Sequence, residues 1–374
     1  MTTDASSFLP PPMLEALALA QQGLLRTSPN PRVGCVLVDV AGRVIGRGST
    51  QRAGGPHAEI VALRDARAQG LSTRGATAYV TLEPCAHQGR TGPCCDALIE
   101  AGIASVVASI TDPNPRVAGQ GFARLRAAGV QVEVGPGAEA ARELNLGFFS
   151  RMVRKTPWVR MKVAASLDGV TALPNGASQW ITSAEARSDG HAWRARACAV
   201  LTGIGTVLAD DPRLDVREVP TERQPALVLV DSALQVPLDA SIFIVDRGVY
   251  IFTASRNDAK KKALEERGVQ VITLPDAHGK VDLAAMLTDL AQRAEVNELH
   301  VEAGYKLNGS LLRAGLVDEL LVYLAPKLLG AGAGMAQLGE LTALTQALEL
   351  EFKTQDRVGP DLRVVARVRG RDRF

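Results

Sequence analysis

The sequence has no long apolar segment. None of its hydrophobic runs approaches the roughly 18 residues that a membrane-spanning helix needs, so we expect no membrane span and no membrane partner. The first residues, MTTDASSFLPPP, also lack a basic stretch followed by an apolar core. That stretch and core are the features of a signal peptide, and we therefore expect a cytoplasmic location.

An excess of basic residues is also missing. The 42 lysines and arginines are balanced by 40 acidic residues, for a net charge of +2. No lysine precedes Lys155, and residues 1–150 carry 13 arginines against 12 acidic residues, a net charge of +1. A general nucleic-acid binder would need a clear basic excess. The charge balance thus predicts no nucleic-acid partner.

Cysteines are few, with five in 374 residues. An odd number without an export signal argues against a disulfide framework. A chain of this length predicts two or three domains. Strand and helix patterns alternate on both sides of a polar, basic stretch at residues 150–157, which is typical of an α/β layer fold. We therefore expect two α/β domains, residues 1–152 and 153–374.

A group of metal-binding residue types stands out in the first half. His57 and Glu59 open one predicted helix, Cys85 follows a predicted strand, and Cys94 opens another helix. One imidazole and two thiolates suit Zn²⁺ and leave a fourth tetrahedral position for water. Zinc lowers the pKa of that water towards ~7, and a neighbouring carboxylate can pass its proton to a leaving amine. His-x-Glu followed by Pro-Cys and a further Cys is the signature of zinc nucleobase deaminases.

The cysteine spacing departs from that signature, because eight residues separate Cys85 from Cys94. Cys95 is an alternative ligand. Adjacent helical residues point about 100° apart, so both cannot easily ligate one metal, and we favour Cys94. Two other interpretations stay open: a structural zinc site with His87 as fourth ligand, and buried cysteines without a metal.

Four segments resemble the bifunctional pyrimidine deaminase/reductase family of riboflavin biosynthesis: residues 27–34, 55–59, 81–94 and 112–121. The eight-residue cysteine spacing is normal in that family. The resemblance implies a cytidine-deaminase-like N-terminal domain in which His57, Cys85 and Cys94 bind Zn²⁺ and Glu59 shuttles protons.

The implied reaction is the hydrolytic deamination of a diaminopyrimidinone ribosylamino phosphate. Asn30 is a candidate contact to the base, because its amide can both donate and accept hydrogen bonds. His87 and Arg90 could meet the substrate phosphate.

Residue patterns alone say less about the second half. Gly203-Ile-Gly205 lacks the third glycine of a dinucleotide-binding fingerprint, so we do not predict a Rossmann fold. Glu302-Ala-Gly304 follows a predicted strand and precedes a predicted helix. A glycine at that place lets backbone amides approach a phosphate. These observations predict an α/β domain with a potential nucleotide site.

Further segments are similar to the reductase half of the same family: residues 162–169, 178–182, 206–214, 231–232 and 302–304. The resemblance implies a dihydrofolate-reductase-like C-terminal domain that uses NADPH to reduce the ribosyl group to a ribityl chain. The implied cofactor contacts are Ala164, Trp180, Thr206, Asp210, Ser232, Gly304, Tyr305, Lys306, Leu307, Asn308, Gly309 and Ser310. The implied substrate contacts are Ser178, Arg194, Leu214, Arg217 and Glu302. The two arginines suit the substrate phosphate, because a guanidinium can bind a phosphate with two N–H groups.

Hydride transfer to the sugar also needs a proton donor near the ring oxygen, and Asp210 is the candidate.

The main alternative function is a zinc nucleobase or tRNA-adenosine deaminase with an unrelated second domain. The charge balance and the ordered reductase segments disfavour it. A third is a non-catalytic, zinc-stabilised binding module, in which Glu59 would be dispensable. The expected partners are a small phosphorylated pyrimidine and, since family members are often oligomers, further copies of this chain.

Overall fold

The computed structural model describes residues 9–87, 92–115 and 117–374. The chain divides into two units, Met1–Arg154 and Lys155–Phe374, and both are built from sheets and helices. No helix in the described ranges is long and apolar enough to cross a lipid bilayer.

In the described part of the first unit, strands and helices alternate around one sheet with the order β2-β1-β3-β4-β5. Strand β1 is antiparallel to β2 and β3, whereas β3, β4 and β5 are parallel. The elements are α1 (Pro11–Gln22), β1 (Gly34–Val38), β2 (Val44–Ser49), α2 (Ala58–Ala68), β3 (Thr77–Val80), α3 (Cys94–Glu100), β4 (Ser105–Ala108), α4 (Gln120–Ala127), β5 (Gln131–Val134), α5 (Ala138–Leu144) and α6 (Leu146–Arg154).

Two glycines let α2 lie directly against strand β2. A Cβ atom on Gly46 would come within 2.3 Å of the Ala62 carbonyl oxygen, and one on Gly48 within 2.1 Å of the Ala58 carbonyl oxygen. Any side chain at these positions would push the helix away from the sheet. The contact therefore fixes the first turn of α2 close to the end of β2.

Three chain segments meet at one edge of this sheet. Ser49, the last residue of β2, lies opposite Gly34, the first residue of β1. The Gly34 N–H donates to the Thr81 hydroxyl, which follows the end of β3, at 3.1 Å. The segment that enters β1 and those that leave β2 and β3 therefore share an edge.

The second unit contains a larger sheet with the order β11-β10-β9-β8-β12-β6-β13-β16-β15 and a small pair, β14-β7. Along the sheet, the seven strands from β11 at one edge to β13 are parallel to one another. Strand β16 is antiparallel to β13, and β15 is antiparallel to β16. The elements are β6 (Trp158–Ser166), β7 (Val170–Ala172), α7 (Ala184–Arg196), β8 (Ala199–Gly203), α8 (Ile204–Asp210), β9 (Ala226–Val230), β10 (Val249–Thr253), α9 (Asp258–Glu265), β11 (Gln270–Thr273), α10 (Leu283–Arg293), β12 (Glu298–Val301), α11 (Tyr305–Arg313), β13 (Glu319–Ala325), β14 (Ala333–Gly334), β15 (Leu350–Val358) and β16 (Asp361–Val368).

A charged network is buried among the central strands of this sheet. The Arg160 guanidinium on β6 lies 3.0 Å from the Glu298 carboxylate on β12 and 2.6 Å from the Glu319 carboxylate on β13. Glu319 also lies 3.1 Å from Arg367 on β16. Arg160 stacks 4.6 Å from the centre of the Trp193 ring. Charged side chains are stable in a protein interior only when each has an oppositely charged partner.

We expect Arg160→Met to destabilise the second unit by about 3 kcal/mol, because it removes a shared cation and leaves two carboxylates buried with fewer partners. All three tryptophans, Trp158, Trp180 and Trp193, lie in this unit. Their fluorescence during urea unfolding therefore reports on it. Arg256→Met, at an exposed arginine, is the control. Equal midpoints for the two variants would show that the network does not stabilise the unit.

Candidate functional sites

Three residues from different elements form a metal-ligand cluster in the first unit. His57 immediately precedes α2, Cys85 follows β3, and Cys94 begins α3. Their ligand atoms all lie within 4.8 Å of one another, and His57 Nδ1 lies 3.2 Å from Cys94 Sγ. Hydrogen bonds from Cys94 and His57 lower the pKa of the Cys85 thiol to about 4. One imidazole and two sulfurs at these separations fit a zinc ion with an open fourth position.

Glu59 lies beside this cluster without belonging to it. Its side chain is in the first turn of α2 and is only 4% exposed. Burial and the nearby Cys85 raise the pKa of its carboxyl to about 7, and it interacts with the Cys94 thiol. A carboxyl group is thus held next to the open metal position.

The two other candidate ligands, Cys95 and His87, do not belong to the cluster found among the described residues. Cys95 is buried in the hydrophobic core of the unit, and burial raises the pKa of its thiol to about 11. His87 is exposed and lies outside the ligand cluster of the described residues. Arg90 falls outside the described part of the chain. Among the described residues, the cluster thus offers three candidate protein ligands, a number typical of catalytic rather than structural zinc.

Glu83, which the sequence patterns did not single out, organises the segment after β4. Its buried carboxylate accepts hydrogen bonds from the backbone N–H groups of Asp112, Gly119, Gly121 and Phe122. A Cβ on Gly121 would lie 1.9 Å from the Pro84 carbonyl oxygen. The segment is therefore packed against the residues that precede Cys85, which explains the glycine in this motif.

The second unit contains a large cleft of about 1640 Å³. It is bordered by the ends of β8, β9 and β12 and by the loop before α7. Nearly all residues assigned to cofactor or substrate line it: Ala164, Ser178, Trp180, Arg194, Thr206, Asp210, Leu214, Arg217, Ser232, Glu302, Gly304, Tyr305, Lys306, Leu307, Asn308 and Ser310.

A carboxylate whose side chain is only 12% exposed, that of Glu302, lines this cleft. Both oxygens of Glu302 accept hydrogen bonds from Arg194, at 2.7 and 2.9 Å. The Lys162 ammonium lies 3.9 Å away and His300 Nε2 lies 3.6 Å away. Although burial alone would raise it, the pKa of Glu302 is held well below its usual range by Arg194 and Lys162. Glu302 is therefore ionised and fixed in orientation.

The cleft also has room for a dinucleotide at a helix N-terminus. Gly304 precedes α11, and a Cβ there would meet only the Thr206 hydroxyl, at 3.9 Å. The backbone at this turn is thus open to the cleft, which suits the close approach of a phosphate. These residues fit a bound NADPH molecule.

Two family models match the chain. The cytidine and deoxycytidylate deaminase zinc-binding region matches residues 11–110, and the RibD C-terminal domain matches residues 157–364. The riboflavin biosynthesis protein RibD of Escherichia coli K12 is 47% identical over 363 residues, covering 94% of this chain and 96% of that protein. The chain belongs to the RibD family.

Solved RibD structures have the same fold. Acinetobacter baumannii RibD, form 1, is 40% identical with a TM-score of 0.86, covering 95% of this chain and 97% of that one. A Thermotoga maritima diaminohydroxyphosphoribosylaminopyrimidine deaminase/5-amino-6-(5-phosphoribosylamino)uracil reductase is 33% identical with a TM-score of 0.85, covering 96% of this chain and 97% of that one.

RibD membership confirms the predicted fold class, a cytidine-deaminase-like domain followed by a reductase domain. The chain is a bifunctional deaminase/reductase of riboflavin biosynthesis, and a zinc deaminase with an unrelated second domain is excluded. The deaminase domain uses Zn²⁺, and the reductase domain implies NADPH.

The structure adds detail at three positions that were assigned by resemblance to RibD. Gly309 does not line the cleft: it is buried where a Cβ would lie 2.1 Å from the Gln337 carbonyl oxygen, so it serves the packing of α11. Arg194 donates three hydrogen bonds to Glu302 and the Asp215 carbonyl, which leaves little of it for a phosphate. Asp210 is exposed at the end of α8.

Asn30 lies in the segment that enters β1, at the sheet edge shared with the segments that carry His57 and Cys85. Its side chain is half-buried. The placement fits a contact to a base beside the metal cluster.

We expect Cys94→Ala to lose bound zinc and Cys95→Ala to retain it, because only Cys94 Sγ faces His57 and Cys85. The metal content of the purified variants, measured by plasma mass spectrometry, checks this. The adjacent cysteine is a matched control for loss of a buried thiol. Zinc loss in the Cys95 variant with retention in the Cys94 variant would reverse the ligand assignment.

The second unit should lose stability on mild acidification. His300 is fully buried without a hydrogen-bond partner for either ring nitrogen in the described chain, and burial lowers its pKa to about 3. An unfolded histidine titrates near 6.5, so the unfolded state binds the proton first and stability falls with pH below that value.

Between about pH 6.5 and 5, this effect amounts to about 1.5 kcal/mol. Urea unfolding followed by tryptophan fluorescence measures it, and His300→Leu should remove about half of the slope that the two buried histidines of this unit, His300 and His191, produce together. His191, whose pKa burial lowers to about 4, contributes in the same direction. An unchanged slope in the His300 variant would contradict this origin.

Proposed function

We propose that residues 1–152 deaminate a diaminohydroxyphosphoribosylaminopyrimidine and that residues 153–374 reduce the resulting phosphoribosylaminouracil with NADPH. The name of the Thermotoga maritima relative gives these two activities. The observation that carries the proposal is the pairing of the His57, Cys85 and Cys94 cluster with a buried carboxyl, Glu59, that is not a ligand.

In the deaminase unit, His57 Nδ1 and the two cysteine sulfurs would hold the zinc ion. When bound, zinc acts as a Lewis acid that makes a water molecule acidic enough to attack at neutral pH. Glu59 adjoins Cys85 and Cys94, so its carboxylate would accept a proton from the water and deliver it to the departing amine. Asn30 would orient the pyrimidine with its amide.

In the reductase unit, the cofactor contacts proposed are Ala164, Trp180, Thr206, Asp210, Ser232 and residues 304–308 and 310, which border the cleft. NADPH supplies the hydride for the sugar carbon when bound. Trp180 is positioned by Arg187, which stacks 4.5 Å from its ring centre and donates to the Thr182 carbonyl. This pair can cover one end of the cleft and exclude water there.

The substrate contacts proposed in this unit are Ser178, Arg194, Leu214, Arg217 and Glu302. Ionised Glu302 can accept hydrogen bonds from sugar hydroxyls, with Arg194 holding it in place. A proton must reach the sugar ring oxygen as the ring opens. Asp210 and the Lys162 ammonium both line the cleft, and Lys162 also adjoins Glu302, which makes it a second candidate donor.

We also propose a cytoplasmic enzyme that acts on a small phosphorylated pyrimidine and assembles with further copies of itself. The five cysteines are free thiols, which suits a reducing compartment. Leu344 and Phe352 are 95% and 70% exposed. With Leu341, Leu348 and Leu350 they make five exposed apolar side chains within residues 341–352, which supports an interface between chains.

We expect Glu59→Gln to lower the deamination rate by about a hundredfold or more, because the amide cannot carry the proton. Base absorbance follows deamination, and NADPH absorbance follows reduction of separately supplied phosphoribosylaminouracil. Zinc content and reduction should stay at the level of the unmodified enzyme. Full deaminase activity in this variant would exclude the proposed proton transfer.

A further inference from the structure

Two arginines at the cleft are held by one buried carboxylate. Arg213 Nη2 lies 2.7 Å from Asp215 Oδ2, and Arg217 Nη1 lies 2.7 Å from Asp215 Oδ1. The Asp215 side chain is 3% exposed, whereas the two arginine side chains are 51% and 48% exposed. Both arginines line the cleft. One negative charge thus supports two cations, with net positive charge towards the cleft.

The backbone that carries this pair is fixed by several side chains. Arg247 donates to the carbonyl oxygens of Arg213 and Leu214. The Gln224 amide bonds both the N–H and the carbonyl oxygen of Val216, at 2.8 and 2.9 Å. Arg194 donates to the Asp215 carbonyl oxygen. The two guanidinium groups are therefore preorganised before any ligand arrives.

The surrounding charges leave this pair available to an anion. His191 Nδ1 accepts a hydrogen bond from the backbone N–H of Arg217. Burial and the nearby arginines keep the pKa of His191 low, so its ring is neutral. Glu218 approaches His191 Nε2 at 3.6 Å rather than either arginine of the pair. Asp215 is already shared between both guanidiniums. Each guanidinium still has N–H groups for a ligand.

On the basis of the function proposed above, we propose that Arg213 joins Arg217 in binding the phosphate of the reductase substrate, with Asp215 holding both guanidiniums. A phosphate monoester is bound well by two guanidinium groups, each with paired N–H donors. The resemblance assigned Arg217 but not Arg213 or Asp215.

Two phosphate monoesters enter the cleft, the substrate 5′-phosphate and the NADPH 2′-phosphate. The arginine pair adjoins the substrate side. Arg194 bonds Glu302 with two N–H groups and the Asp215 carbonyl with a third. The Arg194 side chain alone thus lies between Glu302 and the backbone that carries Arg213 and Arg217. Because Glu302 is a proposed substrate contact, the two arginines lie on the substrate side of the cleft.

The test compares equilibrium binding of phosphoribosylaminouracil and its dephosphorylated form to the full-length enzyme without NADPH. Arg213→Gln should weaken binding of the phosphorylated compound roughly tenfold or more, with no change for the dephosphorylated one. Arg213→Lys, which keeps the charge but not the planar donors, should fall between. Arg256→Gln, at an exposed arginine outside the cleft lining, should match the unmodified enzyme.

Binding of NADP⁺ and NAD⁺ to the same variants separates the two phosphates. If Arg213→Gln weakens only NADP⁺, the pair binds the cofactor 2′-phosphate and the inference is wrong. Equal weakening of both pyrimidine compounds, or no change in either, also overturns it. Failure of the proposed function is recognisable separately, because the unmodified enzyme would then neither bind nor reduce phosphoribosylaminouracil.

Discussion

The approach of three metal-binding side chains to within 4.8 Å depends on the shared edge of the first sheet. The antiparallel pairing of β1 with β2 and β3 brings the end of β2 and the end of β3 to the start of β1. Helix α2 can then begin at this edge because Gly46 and Gly48 allow its backbone to contact β2. The position of Glu59 follows, since it lies two residues after His57 on the first turn.

In the second unit, the main constraint is that charged side chains must stay ionised inside a cleft. Glu302 is buried, and an isolated buried carboxylate would take up a proton. Arg194 and Lys162 keep it ionised. Arg160 plays the same part for Glu319 deeper in the sheet, and it also pairs with Glu298. Ion pairing thus supports the cleft at the ends of the strands, and it stabilises the interior of the sheet between them.

Sequence reasoning reached the parts of the site that are encoded locally. His57, Cys85 and Cys94 were found because their chemistry and the motifs around them are distinctive, and alternating strand and helix patterns predicted the α/β fold. Glu83 was missed because its role comes from four backbone N–H groups on a segment about thirty residues away. No local pattern distinguishes such a carboxylate from a surface one.

Residues of the reductase cleft show the same limit. Gly309 was assigned to the cofactor as part of a continuous loop, but on a helix only some of seven consecutive residues face one side. Arg194 was assigned to a phosphate because arginine suits phosphate. Its partners, Glu302 and Asp215, are 108 and 21 residues away. Only tertiary structure shows that its N–H groups are already engaged.

The near-neutral net charge of the chain now has a structural explanation. Three arginines of the cleft are not surplus charge, because each is held by an acid: Arg213 and Arg217 by Asp215, and Arg194 by Glu302. Placing the acid inside and the guanidinium towards the cleft creates a local positive field while the total stays near zero. Net charge therefore argues against a long polyanion as partner, but it carries no information about a site for a single phosphate. Such a site depends on which partner in each ion pair is buried.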